Sequence, residues 1–368
     1  MGYKERRRKR RIKKAIFWGI IVLLIYLYFY APIYKAPGID KTSEWYVNDL
    51  YMSNQYYYEN VLDEEEKKIY KVIFEGIKNK EDSITVYTNH STAAKVWRTI
   101  ICDHPEMINL KWFSWQYNDE KSTIIKPTYL TYSDFDLNLK VRKIQRSIKK
   151  IVNETKGKSE FEKEKYIYEW LGEKSNYGQG LLNSDQSAYT AFTMMSNTVC
   201  AGYGKAAQIL LANCGIESWI NINEEHLWNT VKLDGEYYFF DATVTSNSEE
   251  NIYGNVSYMG LNQNKNTSDY EILFTEATPD ITGEKYNYYD YYNLTLTYTD
   301  DSTLEEIKTR LEETEYETVE FKFTNPDVAY RKIQENKNYL GIRSAAPYYN
   351  SKGYCKNNGV IMITKNIK

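Results

Sequence analysis

VCAGYGKAAQILLANCGIESWININEEHLWNTVKLDGEYYFFDAT, residues 199–243, decides how this chain is read. Ala206, Ile209, Leu210 and Cys214 recur at helical spacing, and Gly215 suits a left-handed stop. The spacing predicts a helix that starts near Cys200. Three strands are expected after it: Glu217–Ile222, His226–Leu233 and Glu236–Thr243. Asp234-Gly235 joins the last two and is the strongest short-range hairpin signal. A two-residue turn pairs Leu233 with Glu236, so Trp228 falls opposite Asp241 and His226 opposite Thr243. His226 and Asp241 then become diagonal neighbours on one face, about 7–8 Å apart at the backbone.

That layout carries chemistry. A carboxylate beside an imidazole accepts a hydrogen bond from one ring nitrogen, fixes the tautomer, and leaves the other to handle a proton. Cys200 opens the predicted helix, where unpaired N–H groups and the dipole stabilise a thiolate. Gly202 leaves room for close packing or for a substrate. A thiolate at a helix start with His and Asp on an adjacent sheet is the arrangement of nucleophilic acyl transfer.

The same stretch resembles the transglutaminase-like (transglutaminase core) domain of the papain-like superfamily, in its bacterial membrane-anchored type. The matching residues are Val199-Cys200-Ala201-Gly202-Tyr203-Gly204-Lys205-Ala206, Leu210-Leu211, Gly215-Ile216, His226-Leu227-Trp228-Asn229, Val231, Leu233, Gly235, Tyr237 and Asp241-Ala242-Thr243. Ala188-Tyr189 upstream and Tyr258-Met259-Gly260-Leu261 downstream also match, so the resemblance covers about residues 160–265. Two departures stand out: Gly204 where Ala is common, and Thr243-Val244 where Thr-Trp is frequent. The resemblance implies an α+β fold, with a nucleophile helix packed on an antiparallel sheet. It implies Cys200 as nucleophile, His226 as general base and acid, and Asp241 as its orienter. The Cys200 N–H would be one oxyanion donor, with Gln186 and Tyr189 as candidates for the second. The chemistry calls for no cofactor and no metal.

Working outward, the 368 residues suffice for two to three domains. Hydrophobic residues at 42% exclude a disordered chain, and Gly 18 with Pro 7 excludes collagen-like architecture. Four Cys exclude a disulfide scaffold, and no Cys/His cluster has zinc spacing. Tyr, at 37 residues, reads first as AT-rich codon usage and second as a binding surface. The net charge of −3 hides an asymmetry: residues 1–14 hold nine Lys/Arg and one Glu, while the rest carries 38 basic and 49 acidic side chains. Residues 15–34 follow without a charge, long enough at 1.5 Å per residue to cross about 30 Å of hydrocarbon. Cations before the span put the N-terminus in the cytoplasm and the bulk outside. A cleaved signal peptide, the competing reading, would have a shorter apolar run and a small-residue cleavage site.

The chain is thus divided into a basic tail (1–14), a transmembrane signal anchor (15–34), a polar, aromatic tether (35–60), an α+β lead-in region (61–155), a catalytic core (156–285) and a small C-terminal α+β domain (290–368). Asp63 and Ser159 read as helix caps, the latter in a capping box with Glu162. Ile69, Val72, Ile73 and Ile77 are expected to share a buried face, and Val256–Leu261 to form a strand. His90 reads as a surface loop residue, His104 as structural and Cys214 as core, while a Cys102–Cys355 bridge stays open. Gly202-x-Gly204-x-x-Ala207 imitates a dinucleotide fingerprint but lacks the preceding strand. The expected activity is extracytoplasmic acyl transfer or hydrolysis on a protein or peptide substrate, cell-wall associated, with no nucleic-acid partner. The alternatives are a non-enzymatic surface binding module on the same fold, and a nucleic-acid-binding membrane protein resting on the basic tail alone. Oligomeric state stays open.

Overall fold

The computed structural model describes residues 3–30, 33–119, 121–178, 186–193, 197–245, 257–262, 273–274, 277–347 and 359–366. The fold is mixed α+β. Helix α1 (Tyr3–Tyr30) leads, followed by α2 (Tyr56–Val61), α3 (Glu64–Lys78), β1 (Ile84–Val86), α4 (His90–Asp103), β2 (Leu110–Asp119), β3 (Ser122–Tyr129) and α5 (Asp134–Glu154). The middle of the chain forms α6 (Glu160–Lys174), α7 (Ala188–Ala191), α8 (Cys200–Asn213), β4 (Ser218–Ile222), β5 (Leu227–Leu233), β6 (Glu236–Phe240) and a 3-10 turn, Ala242–Thr245. The tail adds α9 (Tyr288–Tyr291), β7 (Thr295–Leu296), α10 (Asp301–Glu313), β8 (Thr318–Phe323), α11 (Pro326–Glu335), α12 (Lys337–Leu340), β9 (Ile342–Pro347) and β10 (Val360–Lys365).

Three small sheets organise these elements: β1-β3-β2, β4-β5-β6 and β7-β8-β10-β9. The first two are antiparallel throughout; β7 pairs parallel to β8. Local chemistry sets the helix starts. Asp63 caps α3 in a capping box with Glu66, and Ser159 caps α6 in one with Glu162. On α3 the buried face is Tyr70, Ile73, Phe74 and Ile77, whereas Val72 is exposed, contrary to the expected face. Tyr70, Ile73, Phe74 and Ile77 stand at i, i+3, i+4 and i+7 and form one stripe, which leaves Val72 off it and buries the larger aromatic surface. His90 is the first residue of α4, capped by Asn89, and not a loop residue. His104 caps the end of that helix and bonds Glu106 at 2.9 Å, both side chains buried.

The main core surrounds α8. Its Ala206, Ile209, Leu210 and Leu211 pack with Ile144, Ile148 and Ile151 of α5, Ile167 and Leu171 of α6, and Val231, Leu233 and Phe240 of the β4-β5-β6 sheet. Residues 35–60, expected as a tether, belong to the packed structure instead. Leu50 and Tyr57 are buried, Trp45 lies 5.1 Å from the Tyr58 ring, and the Tyr57 hydroxyl donates to the Ile220 carbonyl at 2.5 Å. The N–H groups of Tyr57 and Tyr58 both donate to Asp103, each at 3.0 Å. Burial pushes that carboxyl up to about 6 against the pull of His104 and these bonds.

The N-terminal span also differs from expectation. Helix α1 begins inside the basic segment, at Tyr3, and runs to Tyr30. Tyr34, expected at the outer end of the span, packs against the main core. Among the described residues no helix is long and apolar enough to cross a membrane; on α1 the side chains described are those of residues 12–26. Of these, Ile16, Phe17, Trp18, Val22 and Leu24 are all exposed. The expected strand over Val256–Leu261 is reduced, within the described residues 257–262, to a single bridge between Leu261 and Phe240. Strand β9, which the sequence reading missed, completes the C-terminal sheet by pairing with β10.

Candidate active site

Strand register and helix packing converge on three side chains. The β5–β6 hairpin pairs Leu233 with Glu236 and continues to Asn229 opposite Phe240, the expected register. Asp234 and Gly235 make the turn with φ of 49° and 88°, the left-handed pair such a turn demands. The ladder stops there. Asp241 leaves the sheet into the 3-10 turn, and His226 sits one residue before β5 rather than on it. The juxtaposition survives: His226 Nε2 lies 2.8 Å from Asp241 Oδ2, both side chains buried.

Each partner is held by residues to which the sequence reading gave no role in the site. Asp241 Oδ1 accepts from the Thr243 N–H at 2.9 Å and from the Thr243 hydroxyl, while its own N–H donates to the Gly260 carbonyl at 2.8 Å. One carboxylate oxygen thus fixes the turn and the other the imidazole. The Asp-x-Thr spacing was the available signal. Asn223 Oδ1 accepts from the N–H groups of Glu225 at 2.9 Å and His226 at 2.6 Å, closing the tight link from β4. Trp228, two residues on, stacks on the imidazole with centroids 5.7 Å apart and planes at 15°.

Cys200 is the first residue of α8, following an extended Val199, and no side chain caps the helix. Its thiol is half-buried and lies 3.9 Å from the Glu225 carbonyl. The helix comes close to β5 because position 204 is glycine: a methyl there would meet Leu227 Cδ2 at 2.1 Å. The departure at Gly204 therefore has a steric reason in this chain. Asn229 Nδ2 donates to the Gly204 carbonyl at 3.2 Å and ties the two elements. The other departure, Val244, is buried against Met259, Tyr289 and Val360.

Electrostatics follow from the geometry. Burial alone would lower the His226 pKa, but the charge and hydrogen bond of Asp241, together with Cys200, outweigh it and push it up to about 10. Asp241 is opposed by burial, yet His226 and Thr243 hold its carboxyl below the usual range. The site therefore favours imidazolium beside carboxylate, with sulfur acting on the same ring. Burial raises Cys102 well above the ordinary thiol range, and also raises Cys214, which packs in the core. Cys102 is a free thiol, and Cys355 lies outside the described residues.

A cleft of about 280 Å³ opens over Cys200 and His226. Gln186 lines it; Tyr189 does not, and its ring instead lies 4.2 Å beneath the Lys140 ammonium. Among the described residues no group of three or more His, Cys, Asp or Glu gathers as metal ligands would. No protein-family model matches the chain, and neither does any curated protein.

Proposed function

We propose that the chain is a transglutaminase-like cysteine enzyme of the papain-like class, anchored by its N-terminal apolar segment with the catalytic part outside the membrane. It acts on a carboxamide or peptide bond of a protein or peptide substrate. The observation that carries this reading is the buried His226–Asp241 pair, 2.8 Å apart, at one cleft with Cys200. The thiolate of Cys200 attacks the carbonyl carbon and forms the C–S bond. The carbonyl electrons move to oxygen, with the Cys200 N–H as one donor to that oxyanion and Gln186 as the candidate second. Collapse breaks the C–N bond as His226 gives its proton to the leaving nitrogen. Water or an amine then attacks the thioester while His226 takes its proton, and the thiolate returns. Water gives hydrolysis; an amine gives transamidation. Asp241 holds the ring and stabilises the imidazolium throughout.

Incubation of the full chain with a glutamine-containing peptide library, with and without a primary amine, tests the reading by mass spectrometry. Deamidated, cleaved or amine-adducted peptides are expected, and none with Cys200→Ala. A library unchanged by the wild type, with Cys200 refractory to thiol reagents, sinks it.

A further inference from the structure

The cleft is electrostatically lopsided. Arg98 on α4, Lys111 at the start of β2 and Lys205 on α8 line it together with Cys200. Glu224 and Glu225, both exposed, stand on the link before His226. Elsewhere on this protein lysines and arginines pair readily with carboxylates, yet among the described residues none of these three has an ion-pair partner. Lys205 is the telling one. Its residue is 7% exposed, and its ammonium donates to the Gln186 carbonyl at 3.2 Å. A buried ammonium satisfied by a neutral carbonyl is costly to keep. Burial draws Lys205 down to about 8, and the nearby Cys102 and Cys200 sulfurs oppose that fall. Trp97, Ile101 and Leu110 supply apolar lining to the same cleft. Such a surface suits an extended segment that brings its own negative charge.

We infer that Arg98, Lys111 and Lys205 form an anion subsite beside Cys200, so that the acyl donor carries a carboxylate close to the carbonyl under attack. This rests on the reading of Cys200 as nucleophile and names the substrate class of that site. The carboxylate comes from an Asp or Glu side chain of the donor peptide or from its free C-terminus. The subsite works by placing the donor, since a charge held on the basic wall fixes the carbonyl over the sulfur. Glu224 and Glu225, on the link before His226, repel the same carboxylate and so favour its seat on the three cations.

Two alkylating agents of nearly equal size test this without requiring turnover. In both iodoacetate and iodoacetamide the thiolate displaces iodide from a methylene carbon; they differ in charge. On the full chain, the ratio of the two rates at Cys200, followed by peptide mapping, reports the field along the cleft. The His226 imidazolium contributes to that ratio in every variant, so the change on mutation is what counts. In Arg98→Gln/Lys111→Gln the ratio should fall roughly fivefold at low salt, the size expected of two charges at about 8 Å in a watery cleft. Added salt should erase most of the wild-type preference. Lys205→Gln, checked for folding by its melting curve, should shift the ratio the same way. Protection from iodoacetamide separates the sources: an amidated Gln-Glu peptide protects if the side chain is read, and a free-ended Gln-Leu peptide if the terminus is. A ratio unchanged in both variants, with Cys200 still reactive, overturns the subsite and spares the nucleophile. Cys200 inert to both reagents overturns the nucleophile and the subsite with it.

Discussion

At the scale of single residues, Asp241 joins backbone to chemistry. Its two carboxylate oxygens serve different masters, Thr243 and His226. Asp241→Asn keeps the shape but removes the charge that favours imidazolium, and its amide can present the wrong hydrogen-bonding edge to the ring. Peptide turnover should fall by about 10²–10⁴, with folding little changed, as expected for lost tautomer control; a near-wild-type rate would reduce the machinery to Cys200 and His226. The pH profile adds an independent check. The raised His226 pKa means that the protonated ring dominates at neutral pH and is lost as pH rises through about 10. Amide turnover, which needs that proton for the leaving nitrogen, should decline through the same range. Alkylation of Cys200 by iodoacetamide needs no proton donor and should not. Parallel decline of both would assign the limb to unfolding or to another group.

At the scale of elements, the contact of α8 with β5 and the connection behind Asp241 decide whether the three groups meet. Gly204→Ala drives a methyl into Leu227, the far end of a flexible side chain. The helix should back away from the sheet, and turnover should drop by roughly tenfold or more for a displacement near 1 Å. Leu227→Ala in the same chain removes the clash and should restore much of the rate. Failure of that rescue would mean that Gly204 matters for something other than this contact. Gly260→Ala leaves less escape: the added Cβ would lie 2.0 Å from the Asp241 carbonyl oxygen and 2.8 Å from the Tyr168 hydroxyl. Backbone must shift, so stability should fall by about 2 kcal/mol or more, read as a lower midpoint in urea.

At the scale of the whole molecule, the two ends of the chain behave differently. The C-terminal sheet is tied to the main core through Glu320, whose carboxylate accepts from the Tyr258 N–H at 3.0 Å and the Tyr289 hydroxyl at 2.6 Å. On α1, by contrast, Ile16, Phe17, Trp18, Ile20, Val22, Leu23, Leu24 and Ile25 are all exposed. The proposed anchor, with nine cations before an uncharged apolar run, would lie across a bilayer with its tail inside. External protease on intact spheroplasts should therefore digest the region beyond the span and spare the basic tail. Complete protection of the bulk of the chain would reverse the orientation or remove the anchor.

Sequence alone determined what is local or periodic. The helix that starts at Cys200 and stops before Gly215, the Asp234-Gly235 hairpin, the cap at Asp63 and the capping box at Ser159 each depend on residues a few positions apart, and spacing reports those directly. The hairpin register was legible for the same reason: one tight turn propagates along two strands. Only the tertiary structure decided what depends on distant partners. Tyr57 reads as one polar aromatic among many until its hydroxyl meets Ile220, 163 positions on. Val72 lies off the buried face because Tyr70, Ile73, Phe74 and Ile77 hold the i, i+3, i+4, i+7 positions, and packing against distant elements chose that face over the neighbouring one through Ile69. Arg98, Lys111 and Lys205 lie on three separate elements, and nothing in their spacing brings them to one cleft. The His226–Asp241 pair stands between the two cases. Register brought it to one end of the hairpin, but the exit of Asp241 into a 3-10 turn, held by Thr243 and Gly260, set the 2.8 Å contact.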